Sequence, residues 1–423
     1  MKISIQISLI VFACSFFCAD YLMAEIIEIP GDHDTIQEGI DVALNGDIVV
    51  VSPATYYENI NFKGKNILLT SHFYYEQDPC YIEETVIDGI YTVNTDSMST
   101  VIFCNGEDEN AVLQGFTIRG GGGTSWIDPQ FPSYTWFSGG GIFIYMASPT
   151  IRNNLITSNI VVNDGSYDGA SGGGLLSFRG NPLITNNEFS WNQADYGAGI
   201  VVDYSGAIIK NNVVRYNSGG QLYGGGGFYT IGNDVNPIIV ENNTIVFNHS
   251  ETTGGAFRFW SSSATSRNNI IWGNTQNSGG PIDGGGASSF SYCDVEGGIA
   301  GEGNIDEYPD FSDMEIYILS EDSPCVDAGD PDYEFNDPED PQNPGEAQYP
   351  AQGSLRNDMG AFGGPLSIFW EYTSSKELQL PSPVFNLYNY PNPFSVEKKR
   401  EEATTISFEL SGKADITLSI FNL

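Results

Sequence analysis

NNLITSN, from Asn153 to Asn159, is the first of five copies of one pattern: an asparagine pair, four residues, a third asparagine. NNEFSWN follows from Asn186, NNVVRYN from Asn211, NNTIVFN from Asn242 and NNIIWGN from Asn268. The starts lie 33, 25, 31 and 26 residues apart. Small-residue clusters precede them: Gly139-Gly140-Gly141, Gly172-Gly173-Gly174, Gly197-Ala198-Gly199, Gly225-Gly226-Gly227 and Gly254-Gly255. Self-similarity at such a period marks a chain built by stacking one small unit.

Within each unit the apolar residues alternate, as in strands. Ile151, Ile184, Ile209 and Val240 precede the asparagine pair, and Ile156, Phe189, Val214, Ile245 and Ile271 follow it. These are expected to point inward. Arg152, Thr185, Lys210, Glu241 and Arg267 are expected to point outward. Short strands, sharp turns and a period near 29 residues describe coils of a parallel β-helix, each about 4.8 Å above the last. Stacked asparagines then hydrogen-bond along the axis, because an amide both donates and accepts. Asparagine and glycine also tolerate left-handed backbone at corners. Upstream, DTIQEGIDVAL reads as a short amphipathic helix capped by Asp34 or Thr35, with Ile36, Ile40, Ala43 and Leu44 on its apolar face. It is a candidate plug for the open end of the solenoid.

The chain has 423 residues, with 16 Lys+Arg against 54 Asp+Glu and a formal net charge of −38. That balance argues against nucleic acid and against an anionic membrane surface as partners. Aromatic residues at 13% are too many for a disordered chain. Lys2 followed by the apolar run Ile3–Phe17 and the small-residue site Leu22-Met23-Ala24 reads as a secretory signal peptide over 1–24. No later stretch is apolar enough for a membrane helix, so no membrane span is expected. The expected location is secreted, extracellular or on the outer cell surface. Four cysteines remain after the leader, and Cys80–Cys104 and Cys293–Cys325 are the pairings to test among three possible connectivities.

GDHDTIQEGIDVALNGDIVVVSPATYYENINFKGKNILL, together with the repeats to about Trp272, resembles the right-handed parallel β-helix proteins of the pectate-lyase-like superfamily. The resemblance covers roughly 25–320 and implies an all-β, right-handed parallel β-helix solenoid with an N-terminal capping helix. It is weak for activity, since that superfamily holds lyases, hydrolases, esterases, adhesins and inert scaffolds. SPCVDAGDPD, followed by RNDMGAFGG, resembles a closing segment of such helices, here an acidic closing segment and linker over 321–383. NLYNYPNPFS and ATTISFELSGKADITLSIFNL resemble the opening of a type IX secretion C-terminal sorting domain, a β-sandwich-like module over 384–423. That resemblance implies secretion machinery as a partner. It also implies a pattern running past Leu423, so that the module is truncated here.

Enzymes of the superfamily carry their sites outside one parallel sheet, and their motifs are sparse in this chain. There is no RxPxxR run and no Gly-His-Gly; Asn94-Thr95-Asp96 is a partial echo of a polygalacturonase motif. The catalytic candidates are Asp203, Lys210 and Arg215, although an Asp beside an Arg is more often a surface ion pair than a catalytic one. A stronger feature is the insertion TSWIDPQFPSYTWF before Ser138. Its Trp126, Tyr134 and Trp136, with Tyr167 and Tyr196 from later insertions, are candidates to stack on sugar rings, or else to fold back over the outer sheet. From Glu302 to Glu346 there are 16 acidic residues and no Lys or Arg. Asp327, Asp330 and Asp332 are dense enough to suggest calcium, although the spacing is not that of an EF-hand and a solvated acidic loop accounts for it as well.

The expectation is a non-catalytic binding or structural protein whose partner is a polysaccharide or cell-surface glycan. The alternative is a carbohydrate-active enzyme, a polysaccharide lyase or glycoside hydrolase. The charge favours neutral over acidic glycans.

Overall fold

The computed structural model describes residues 24–91, 94–232, 236–286 and 288–367. The proposed leader before residue 24 and the proposed sorting module over 384–423 lie outside them.

The described residues form a parallel β-solenoid, as the repeat predicts. Three long parallel sheets run along its length. Among the described residues the first has ten strands, from Ile26–Ile29 to Ser289–Ser291, and includes Thr150–Arg152, Leu183–Thr185 and Ala207–Lys210. The second has nine, from Ala54–Tyr56 to Asp294–Val295, and includes Leu155–Thr157, Glu188–Ser190 and Val213–Arg215. The third has eight, from Ile60–Asn61 to Ile282–Asp283, and includes Ile142–Tyr145, Leu175–Phe178, Ile200–Asp203, Phe228–Ile231 and Phe257–Trp260. A five-stranded ribbon from Ile160–Val161 to Thr275–Gln276 lies between the second sheet and the third. The inward residues of all three sheets meet in one continuous apolar core, in which Ile151, Ile156, Ile184, Phe189, Ile209 and Val214 are wholly buried.

Each seven-residue motif builds two corners. The first asparagine of the pair takes the left-handed conformation, with φ of 51 to 57° at Asn153, Asn186, Asn211, Asn242 and Asn268. This turns the chain from the first sheet into the second and aims the next asparagine inward. Asn154, Asn187, Asn212, Asn243 and Asn269 then form a ladder in which each Nδ2 donates to the Oδ1 of the next at 3.0 Å. The residue before the third asparagine is also left-handed (Ser158, Trp191, Tyr216, Phe247, Gly273). It starts a second ladder through Asn159, Asn192, Asn217, Asn248 and Asn274, at 2.9 to 3.0 Å. Every rung also donates to a main-chain carbonyl, for example Asn212 Nδ2 to Ile184 O at 2.9 Å. These buried amides are therefore saturated, as a low-dielectric interior demands.

The glycine column opens the third sheet. A Cβ on Gly141 would meet Gly174 O at 2.6 Å, and one on Gly199 would meet Gly227 O at 2.5 Å. Neither contact can relax, because both oxygens are main chain.

The N-terminal plug is the helix Ile36–Val42. Thr35, rather than Asp34, caps it in a reciprocal pair with Glu38. The Glu58 carboxylate accepts from the Ile36 and Gln37 amides at 3.0 Å. At the other end Lys65 Nζ donates to the carbonyls of Ile40, Asp41 and Ala43. Ile36, Ile40 and Ala43 are buried, but Leu44 lies beyond the helix and is exposed.

One expectation is corrected and another refined. Cys80, Cys104, Cys293 and Cys325 are free thiols, not disulfides. The Cys325 thiol donates to Asp294 Oδ2 at 3.3 Å and that of Cys293 to Ser291 O at 3.3 Å. The acidic stretch is largely solvated, as expected, since most of its carboxylates are exposed, but it is folded and Asp337 within it is buried. After the hairpin Phe311–Asp313/Ile318–Leu319, the segment to Ser367 packs along the asparagine corner, with Asp337 and Asp358 buried. Asp337 accepts from the Asp358 and Gly364 amides, and Asp358 from those of Asp327 and Gln352.

Candidate functional site

The glycine column fixes where insertions can leave the solenoid. Each coil must return to the same tight glycine rung, so the loops after the five-stranded ribbon leave the solenoid at the corner before the third sheet, whereas the helices Phe73–Glu76 and Cys80–Glu84 are inserted between the first sheet and the second. The largest loop at that corner is an ordered hairpin. Thr124–Trp126 pairs antiparallel with Trp136–Ser138, which pairs in parallel with Gly169–Ser171. Asp168 clamps it, accepting from Thr135 N at 2.8 Å and donating its own amide to Thr135 O at 2.9 Å.

The hairpin lies against a second apolar layer on the outside of the third sheet. Ile102, Phe143, Leu176, Val201 and Tyr229 form one outward column of that layer; Phe178, Asp203, Ile231 and Trp260 are the neighbouring column in strand register. Trp126 is 8% exposed and sits 4.5 Å from the Phe178 ring, its Nε1 donating to Ser138 Oγ at 3.1 Å. Tyr196 is buried beneath Tyr223 and beside Tyr229. Tyr167 stacks on Phe137 at 4.5 Å. Trp136 is half-buried between Trp126 and Tyr134. Of the five predicted stacking residues, then, Trp126 and Tyr196 serve packing and are not presented to a ligand. Tyr134 is presented, at 47% exposure.

The sequence reading missed an exposed ring on this face. Trp260 ends a strand of the third sheet facing outward, is 49% exposed, and lies 6.3 Å from Tyr223, itself 42% exposed. Arg258 lies over the Trp260 ring at 5.3 Å and pairs with Asp283. Alternation along Phe257-Arg258-Phe259-Trp260 was the available signal, since Phe257 and Phe259 are inward. Tyr134, Tyr223 and Trp260 stand along one loop-bearing face, each seated on a more buried aromatic or guanidinium neighbour.

Beneath the hairpin lies a charged group. Asp128, on the hairpin turn, pairs with Arg179 at 3.3 Å, and Arg179 stacks over Phe178 at 5.0 Å. Asp203 lies nearby with its Oδ1 buried and without a hydrogen-bond partner among the described residues. Burial, then the charge of Asp128, pushes the Asp203 carboxyl up to about 8, with Arg179 opposing. Asp203 is therefore a neutral acid at pH 7, beside the Asp128–Arg179 ion pair.

The three catalytic candidates are not brought together. Asp203 is on the third sheet. Lys210 is on the first, paired with Glu241 at 2.5 Å, and Arg215 is on the second, paired with Glu188 at 2.9 Å. The calcium candidates also have protein partners. Asp327 accepts from Ser354 N and Oγ, Asp330 pairs with Arg267 at 3.2 Å, and Asp332 N donates to Asp330 Oδ1. Among the described residues no group of three or more His, Cys, Asp or Glu is arranged to hold a metal ion. No described helix is long and apolar enough to cross a membrane.

Residues 88–291 match the family model described as right handed beta helix region. The match begins at the end of a second-sheet strand and closes on the last first-sheet strand, taking in all five asparagine motifs. The described residues fold as a right-handed parallel β-helix. No curated protein matches the chain with significance.

Proposed function

We propose that this is a secreted or surface-displayed β-helix that binds neutral glycans on the outside of its third sheet. The observation carrying this reading is the row of exposed rings, Tyr134, Tyr223 and Trp260, on the face that carries the hairpin and the loops before the third sheet. Rings held flat by a packed underlayer offer apolar area to sugar C–H faces at little entropic cost. The net charge of −38 disfavours polyanionic chains at long range. Affinity electrophoresis through gels of neutral and acidic polysaccharides tests the reading. Retardation by a neutral polymer, lost in Tyr223→Ala/Trp260→Ala, is expected; equal retardation of the variant contradicts the assignment. Export through the 1–24 leader and display through 384–423 belong to the same proposal. Normal display after deletion beyond Pro383 contradicts the latter.

A second reading, a carbohydrate-active enzyme, rests on Asp203, a neutral acid beside the carboxylate of Asp128. Such a pair suits proton donation to a leaving group. Its test is release of reducing or unsaturated ends from the same polymers, abolished by Asp203→Asn.

A further inference from the structure

The left-handed asparagines form a column on the outside of the corner between the first and second sheets, and this chain already uses part of it as a receptor. Asn242 Nδ2 donates to Asp358 O at 2.9 Å and Gly360 O at 3.3 Å. Asn211 Nδ2 donates to Ala361 O at 3.0 Å and Gly363 O at 2.7 Å. Residues 358–363 thus climb down two rungs by placing carbonyls i and i+2 on each amide. The next two rungs down, Asn186 and Asn153, do not receive this segment. They line a cavity of about 200 Å³ between the helix Cys80–Glu84 and the hairpin ending at Ile318–Leu319. Asn153 is 5% exposed, and its Nδ2 is buried without a hydrogen-bond partner among the described residues. Among the described residues Asn186 Nδ2 donates only to its neighbour Thr185 Oγ1, at 3.0 Å.

We infer that this cavity is a docking site for an extended, small-residue peptide that carries a basic side chain. Its main-chain carbonyls accept from Asn186 and Asn153 as those of 358–363 do from Asn242 and Asn211. The walls suit such a chain: Ile82 on one side, Ile318 and Phe362 on the other, with Tyr349 in the same lining, give apolar contacts. The charge is acidic. Glu188 is already paired with Arg215 at 2.9 Å, whereas Glu83 stands exposed on the rim with no ion-pair partner among the described residues and takes the incoming cation. The site lies on a different edge from the aromatic row and is independent of the glycan reading.

The probe is a fluorescein-labelled peptide copying residues 357–363 with Asp358→Lys, titrated with the full chain and followed by anisotropy. Saturable binding that weakens with added salt is expected. Asn153→Asp, which replaces the donor with a second acceptor, weakens it at least tenfold, as does Glu83→Lys; Trp260→Ala leaves it unchanged. No saturable binding overturns the inference, as does equal binding by Asn153→Asp and Glu83→Lys. Displacement of the peptide by a neutral hexasaccharide also overturns it, since the groove would then be a glycan subsite. Should Asn153→Asp fail to fold, Glu83→Lys, changed on the exposed rim, decides.

Discussion

At the residue scale, one motif does two jobs through one torsional choice. A left-handed first asparagine makes the second point inward, and the left-handed residue at position six does the same for the last. Asn212 shows the cost of breaking this. Its amide donates to Ile184 O, Lys210 O and Asn243 Oδ1, and its oxygen accepts from both nitrogens of Asn187. Asn212→Ala leaves several buried groups unpaired, each costing about 1–3 kcal/mol. A loss of roughly 3 kcal/mol or more in urea unfolding is expected; a loss below 1 kcal/mol contradicts the ladder's role. Asparagines at fixed positions are visible in sequence, so the ladder was legible there. That there are two ladders, and that the first asparagine faces outward, was not. Both depend on φ, which residue identity alone does not report.

At the element scale, the insertion hairpin is held by Trp126. Truncating a buried tryptophan costs about 3–5 kcal/mol where the cavity cannot collapse. Here the loss falls on the hairpin, because the inner core does not contain Trp126. Trp126→Ala should raise hydrogen exchange across 124–138 while the asparagine corners stay protected. Tyr134→Ala, at an exposed ring, should change neither. Sequence placed an aromatic-rich insertion correctly on a loop-bearing edge but could not say which rings face water. Trp126 and Trp136 are cross-strand partners in the hairpin, yet Trp126 is buried and Trp136 half-buried. Asp128 and Arg179 are 51 residues apart and become partners only because the hairpin folds back. The burial of Asp337 and Asp358 was similarly opaque, because it depends on the amides that the folded closing segment brings to them.

At the scale of the whole molecule, buried acids set an unusual pH dependence. The Asp203 carboxyl is pushed up to about 8 and that of Asp294 to about 6, chiefly by burial, and burial also raises Asp337 and Asp358. The folded state then holds protons that the unfolded chain has released above pH ~4. Their stabilisation is full below that pH and fades as pH rises through the folded values. Self-repulsion among 54 acidic residues works in the same direction. The melting temperature should fall between pH 5 and pH 8, with a shallower fall in Asp203→Asn; a rise over that range contradicts the assignment. The most direct test of the binding account is hydrogen exchange on the full chain, with and without the neutral oligosaccharide that retards it best. Protection confined to 220–224, 257–260 and the hairpin 124–138 is predicted. Protection elsewhere on the solenoid, with that face unchanged, would contradict the account.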